Sequence, residues 1–250
     1  PNELELLNEY LASGGKFLLL TDPESEAEMN EFLEPYGVQL NDDFVVDATG
    51  LGQLFGFGAA APLGVDYAAH PITEDLQETM SIFPGARSVA GVASELDYVT
   101  TELVRSSPQS WGESEIEAEE VAFDEELDTA GPVALAVVSV KSIAQEGSEG
   151  ASAEAEEGGE PSSEDAEAAS DESPSEGDAE VSEEAEESQP LESRIVVFGD
   201  SEFASNAYFG TAVNGDLFLN AVSWLAEDTD LLSIRPKDPE NRSITLTATD

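Results

Sequence analysis

The sequence has no cysteine, a single histidine, two tryptophans, and only eight Lys and Arg residues against 56 Asp and Glu. Each shortage removes a class of chemistry. Without cysteine there is no disulfide, no thiolate metal site and no thiol nucleophile. One imidazole, His70, leaves no second imidazole or thiolate for a transition-metal cluster. A formal net charge of −48 argues against nucleic acid, whose phosphates need Lys and Arg to neutralise them. It argues equally against a peptide bound to anionic lipid. No run of about 18 apolar residues occurs, so no stretch of the 250 residues reads as a membrane-spanning helix.

What is present is unevenly spread. Residues 142–193 hold 19 of the acidic residues, no Lys or Arg and no aromatic residue. Such a Glu/Ser/Ala/Gly segment cannot bury enough apolar surface to offset its chain entropy, and it reads as a disordered low-complexity insertion. The remaining 198 residues still carry a net charge of −29, so the folded part is acidic too. The chain opens with Pro1-Asn2-Glu3-Leu4 already inside a helical pattern. It is expected to be a fragment, with its N-terminal part and its membrane anchor lying outside it.

Periodicity outlines an α/β fold. Residues 1–13 place Leu4, Leu7 and Leu11 on one helical face, and Gly14-Gly15 stops the helix. Residues 16–21 form a continuous apolar run closed by Asp22-Pro23, the pattern of a buried parallel strand. A second helix is predicted over 25–36. Strands are predicted at 38–40, 44–46, 88–92 and 98–103, with a central one at 133–140. Residues 50–64, rich in Gly and Ala, and 106–113 read as loops, and 74–79 as a short helix. Residues 194–198 are a buried strand. The last helix begins near Asn214 or Asp216, either of which can cap it. Short strands are expected at 231–234 and 244–246. Alternating helices and apolar strands predict an open, mostly parallel sheet flanked by helices, built from residues 1–141 and 194–250 as one domain. Its two strands either side of the insertion are expected to be neighbours.

The segment 194–227 carries the most information about function. A strand closed by Gly199-Asp200-Ser201 before a helix is how an open α/β sheet builds the edge where ligands bind. Three readings compete there. Ser201 can be a nucleophile, which requires a His and an orienting acid. Asp200 or Ser201 can cap the following turn. The strand-end edge around Asp200, Ser201 and Asn206 can be a non-catalytic ligand or partner site. His70 precedes Pro71 and reads as a loop residue or, less simply, as a catalyst. Trp111, with Ser110 and Glu113, is either a packed loop anchor or the lining of a sugar or peptide groove. No Asp-x-Asp-x-Asp-Gly loop or dinucleotide fingerprint is present, so the sequence points to no metal and no cofactor.

Several segments in a shared order resemble one family. They are 4–22 (LELLNEYLASGGKFLLLTD), 70–87 (HPITEDLQETMSIFPGAR), 106–113 (SSPQSWGE), 131–140 (GPVALAVVSV), 194–206 (RIVVFGDSEFASN) and 214–237. Together they are similar to the GldG-like extracytoplasmic auxiliary component of ABC transporters linked to gliding motility. The insertion lies outside the resemblance. The resemblance implies a domain like the GIFT-type domain of intraflagellar-transport proteins, itself similar to class I glutamine amidotransferases. Those enzymes use a Cys at a strand–helix elbow, which this chain lacks. The resemblance further implies a non-enzymatic role, permease and ATPase subunits as partners, a periplasmic location, and anchoring by membrane segments absent from this chain. A glycan or small ligand is the alternative partner.

Overall fold

The computed structural model describes residues 3–23, 27–50, 52, 56–115, 121–143 and 191–226. The terminal strands expected at 231–234 and 244–246, and nearly all of the acidic insertion, lie outside the described residues. By contacts the chain divides into Pro1–Ile143 with Glu192–Asp250 as one unit and Ala144–Leu191 as another.

Three apolar runs build the centre of the main sheet: β1 (Lys16–Leu20), β11 (Ala134–Ser142) and β12 (Glu192–Phe198). β12 lies between the other two. It runs parallel to β1, with Phe17 opposite Ile195 and Leu20 opposite Phe198. It runs antiparallel to β11, from Ala136 opposite Phe198 to Ser142 opposite Glu192. The two strands flanking the insertion are therefore direct partners, and their ladder reaches Ser142 and Glu192. Beyond β11 come β7 (Val89–Gly91) and β2 (Val38–Leu40), while β8 (Val99–Arg105) also pairs with β11 and with the short β5 (Asp66–Tyr67).

Of these pairings only β1–β12 is parallel. The sheet is mixed, not mostly parallel as the apolar runs predict. The physical reason lies in burial. A strand covered on both faces reads as an unbroken apolar run whichever way its neighbour points. Two smaller sheets complete the fold: β3 (Phe44–Asp47) with β9 (Ser110–Glu113) and β10 (Thr129–Ala130), and β4 (Leu63–Gly64) with β6 (Ser81–Ile82).

The main sheet is covered on both sides. On one face, α1 (Glu3–Ala12), α2 (Ala27–Leu33) and a 3-10 turn, Glu34–Tyr36, set Leu11, Phe32, Leu33 and Tyr36 against Ile195 and Val197. On the other, α3 (Asn214–Leu225) and the 3-10 turn Glu202–Ala204 set Leu217, Trp224 and Phe203 against Val196 and Phe198. The alternation along β12 is the period of two expected of a strand. β11 breaks that period. Leu135 and Ala136 both join the α3 side before Val137 returns to the α1 side, and the register to β8 shifts at the same place. A bulge of this kind bends the strand and helps curl the sheet.

Three local expectations change. Residues 106–113 end in β9, because Ser110 to Glu113 pair with β3 and override their loop-like composition. The helix expected at 74–79 is a 3-10 turn, Glu74–Leu76. Neither Asn214 nor Asp216 caps α3, whose N-cap is Val213. Asn214 is instead fully buried, accepting from the Ile82 N–H and donating to the Ile82 and Phe203 carbonyls.

Because Ser142 and Glu192 are cross-strand partners, a hairpin turn can join them directly. Replacing residues 144–190 by a short Gly/Ser turn should leave the fold intact. The shorter loop should raise unfolding free energy by about 2 kcal/mol. Urea denaturation of the two chains checks this. Loss of cooperative unfolding in the shortened chain would show that the insertion belongs to the fold.

Candidate functional site

The carboxyl ends of the parallel pair lie side by side. Leu20 leads into Thr21-Asp22, and Phe198 leads into Gly199-Asp200-Ser201. The Asp22 carboxylate joins the two loops. Its Oδ1 accepts the Ser201 N–H at 2.7 Å and its Oδ2 accepts the Ser201 hydroxyl at 2.7 Å. Asp22, missed in the sequence as a mere strand stop, is thus the partner of Ser201. Its only prior signal was a position directly after an apolar strand.

Gly199 has a steric role. The Arg87 N–H donates to its carbonyl at 2.8 Å, and a Cβ on Gly199 would lie 2.2 Å from the Arg87 carbonyl oxygen. Arg87, 4% exposed, is the cation of this corner. Its guanidinium donates through Nε and Nη2 to the Asn41 carbonyl, and through Nη1 to the Asp22 carbonyl at 3.3 Å. Burial lowers its pKa, and the Asp43 and Asp42 carboxylates oppose that. Asp43 accepts from both the N–H and the hydroxyl of Ser88.

Asp200 is fully buried. Its Oδ1 accepts the Glu202 N–H at 2.8 Å, whereas Oδ2 has no hydrogen-bond partner among the described residues. Burial is the largest cause pushing its pKa up to about 7, and the nearby Asp22 and Glu202 charges add to the rise.

A cleft of about 630 Å³ opens beside this corner, lined by Asp22, Ser201, Glu202, Gly85, Phe57 and Tyr208 among others. The Phe57 and Tyr208 ring centroids are 6.0 Å apart. Neither aromatic residue stood out in the sequence, since Phe57 sits in the Gly/Ala-rich stretch and Tyr208 in a turn. Asn206 is exposed in the turn after the Glu202–Ala204 3-10 segment.

The other sequence-derived residues lie elsewhere. His70 packs edge-on against Trp224 at 4.8 Å, and Arg194 stacks on the same indole at 4.6 Å. Arg194 lies near the start of β12 and Ser201 follows its end, so His70 and Ser201 sit toward opposite ends of the strand. Burial first, then the Arg194 charge, lowers the His70 pKa to about 4. Ser110 is buried, its hydroxyl donating to the Ser107 carbonyl at 2.8 Å. Trp111 and Glu113 point to one side of β9, opposite Val46 and Phe44 of β3. They line a second groove of about 450 Å³, mostly apolar, in which the Trp111 indole N–H donates to Glu113 at 3.2 Å. Among the described residues no group of three or more His, Asp or Glu is arranged to hold a metal ion.

The family model described as "ABC-type uncharacterized transport system" matches residues 1–225. The chain belongs to this family of auxiliary components of ABC-type transport systems. No curated protein matches it. Among solved structures it is similar to "mmIFT52 N-terminal domain", with a TM-score of 0.52 and 15% identity over 89% of this chain and 70% of that one. At that identity the likeness is one of fold alone. No helix among the described residues is long and apolar enough to cross a membrane.

Two substitutions test the corner. Gly199→Ala forces a Cβ into the Arg87 backbone and should cost at least about 2 kcal/mol in chemical denaturation. An unchanged midpoint would mean that this backbone contact is not made. Asp200→Asn tests the buried carboxyl. Its folded pKa of about 7 lies above the ordinary aspartate value of 3.8, so the folded state holds the proton more tightly. The group therefore favours folding most below pH 4, and that stabilisation is lost as pH rises to about 7. Relative to the parent, Asp200→Asn should gain a few kcal/mol between pH 4 and pH 8, roughly 4 at most. A pH-independent difference between the two would show Asp200 titrating normally.

Proposed function

We propose that this domain serves its ABC transport system as a non-enzymatic, extracytoplasmic binding domain. It takes a ligand or a partner segment in the cleft at the carboxyl ends of β1 and β12. The observation that carries this reading is the Ser201 hydroxyl donating to Asp22 beside an open cleft, with the chain's one imidazole at the far end of β12. A Ser–His–Asp relay needs that imidazole on the serine. Asp22 holds Ser201 as a structural lock between two loops, which leaves the cleft walls to make contacts. Ligands of open α/β sheets bind at this end of the strands.

The likeness to the mmIFT52 domain supports assigning the fold to the GIFT-type group. Family membership supports contact with the permease or ATPase subunits, anchoring through segments outside this chain, and, on the resemblance of the sequence, a link to gliding motility. A second reading places a sugar or small ligand in the Trp111 groove, favoured by the indole and carboxylate that line it.

Single substitutions in the full-length transport complex separate these readings. Gly58 lines the cleft, and a Cβ there meets only the Ala60 N atom, at 4.0 Å. Gly58→Trp therefore fills the cleft without a core clash. Val121→Trp fills the groove from an exposed position. Recovery of permease with the protein, together with ATP hydrolysis by the complex, should fall at least about threefold for Gly58→Trp. Val121→Trp should stay near the parent, and Ser201→Ala, which keeps the main-chain N–H bond to Asp22 and loses only the hydroxyl bond, should fall less than Gly58→Trp. A loss confined to Val121→Trp moves the site to the groove. A folded Ser201→Ala that loses all activity makes Ser201 catalytic and overturns the proposal.

A further inference from the structure

The cleft's walls restrict what it can hold. Asp22 and Glu202 bring two carboxylates to it, and none of the described residues lining it is Lys or Arg. An anionic ligand would meet repulsion without compensation. The Arg87 guanidinium lies behind the corner, committed to main-chain carbonyls and paired electrostatically with Asp43 and Asp42. It does not supply the missing positive charge at the cleft surface.

In the same cleft, Phe57 and Tyr208 meet at an interplanar angle of 46°, tilted to each other rather than forming one flat platform. A cation seated between them comes within the roughly 6 Å over which ring quadrupoles attract positive charge. Gly56, Gly58 and Gly85 line the cleft without side chains. A Cβ at Gly56 would meet nothing within 4 Å, and one at Gly85 would meet only Phe44 at 3.9 Å. The cleft, at about 630 Å³, has room for a small organic cation or the end of a long side chain. The chain's net charge of −48 draws cations toward it from a distance.

We propose that the cleft binds an organic ammonium ion, held between the Phe57 and Tyr208 rings and the Asp22 and Glu202 carboxylates. The inference rests on the reading of this cleft as the domain's binding site and adds the class of ligand. Asp200 gives an internal reporter. Its raised pKa includes a contribution from Asp22 and Glu202, so a cation bound between them lowers it.

The test is NMR titration of the chain with four probes at fixed ionic strength. They are choline, N-acetyl-lysine methylamide, 3,3-dimethylbutanol as the uncharged isostere of choline, and glucose. The expected result is saturable binding of an ammonium probe in the roughly millimolar range. Shifts should centre on Gly85 and Tyr208, and the Asp200 carboxyl titration should move to lower pH. Tighter binding of choline identifies a small free ammonium compound as the source, and tighter binding of the lysine amide a partner's side chain; both support the inference. Phe57→Leu, which leaves every charge in place, should weaken the better probe at least threefold, and Glu202→Gln two- to fivefold. Equal binding of dimethylbutanol, or shifts spread over the acidic surface without saturation, overturns it. Glucose binding alone overturns the ammonium ligand but keeps the cleft as a binding site. Binding of none of the four overturns both.

Discussion

The structure depends on β12 being hydrogen-bonded along both edges and buried on both faces. Ile195, Val196, Val197 and Phe198 have no exposed surface. Each contributes on the order of 1.5–3 kcal/mol by leaving water. They alternate between the α1/α2 layer and the α3 layer, so this strand, like its neighbours β1 and β11, contributes to the apolar clusters on both faces. Its partners come from opposite sides of the chain: β1 from the start, β11 from just before the insertion. The acidic insertion is tolerable because it leaves the sheet through the Ser142–Glu192 end of an antiparallel pair, where a connection of any length closes the same ladder. Arg194 secures that end from β12, donating to the Trp224 carbonyl in the last turn of α3 and pairing with Glu192. A guanidinium at a helix carboxyl terminus complements the helix dipole.

The other end of β12 is held by polar groups, and its packing explains the residue types there. Gly199 is demanded by the Arg87 main chain, and Gly112 of β9 is demanded by Asp43, whose carboxylate oxygen would lie 2.1 Å from a Cβ. Arg87 and Asp43 thus connect the main sheet to the β3–β9 sheet by buried electrostatics. Such an arrangement is costly to break from one side, because the remaining charge stays buried. It also fixes the loop after β12 tightly enough for Asp22 to accept twice from one serine.

How much of this was legible follows from what each feature presents to sequence. The strands β1, β11 and β12 announce themselves as apolar runs, and the neighbourhood of β11 and β12 across the insertion was readable from those runs alone. Strand direction was not, since burial on both faces erases the alternation that marks a one-sided antiparallel sheet. β9 hides because Ser110 and Gly112 face inward where only small residues fit, and those are the residues that mark loops elsewhere. At the site, the Gly-Asp-Ser corner was found where the sheet ends. Asp22, Arg87, Phe57 and Tyr208 were not, because their roles come from partners distant in sequence. His70, Trp111 and Asp200 stood out by rarity or motif, and the fold puts them in three separate places.

Position at a sheet edge and chemistry at that edge are independent properties. A nucleophilic elbow needs a side chain whose proton can be taken and whose oxygen or sulfur then faces the substrate. Here the serine at the elbow spends its proton on a carboxylate that also accepts its own main-chain N–H, an arrangement that fixes a loop. With the loops after β1 and β12 joined, Glu202 and Tyr208 are carried to the same cleft as Phe57 and Gly85 from distant segments of the chain. The edge that in other α/β proteins supports a reaction brings two carboxylates and two aromatic rings to one cleft here. Groups already held in place by such contacts lose little further freedom when something binds between them.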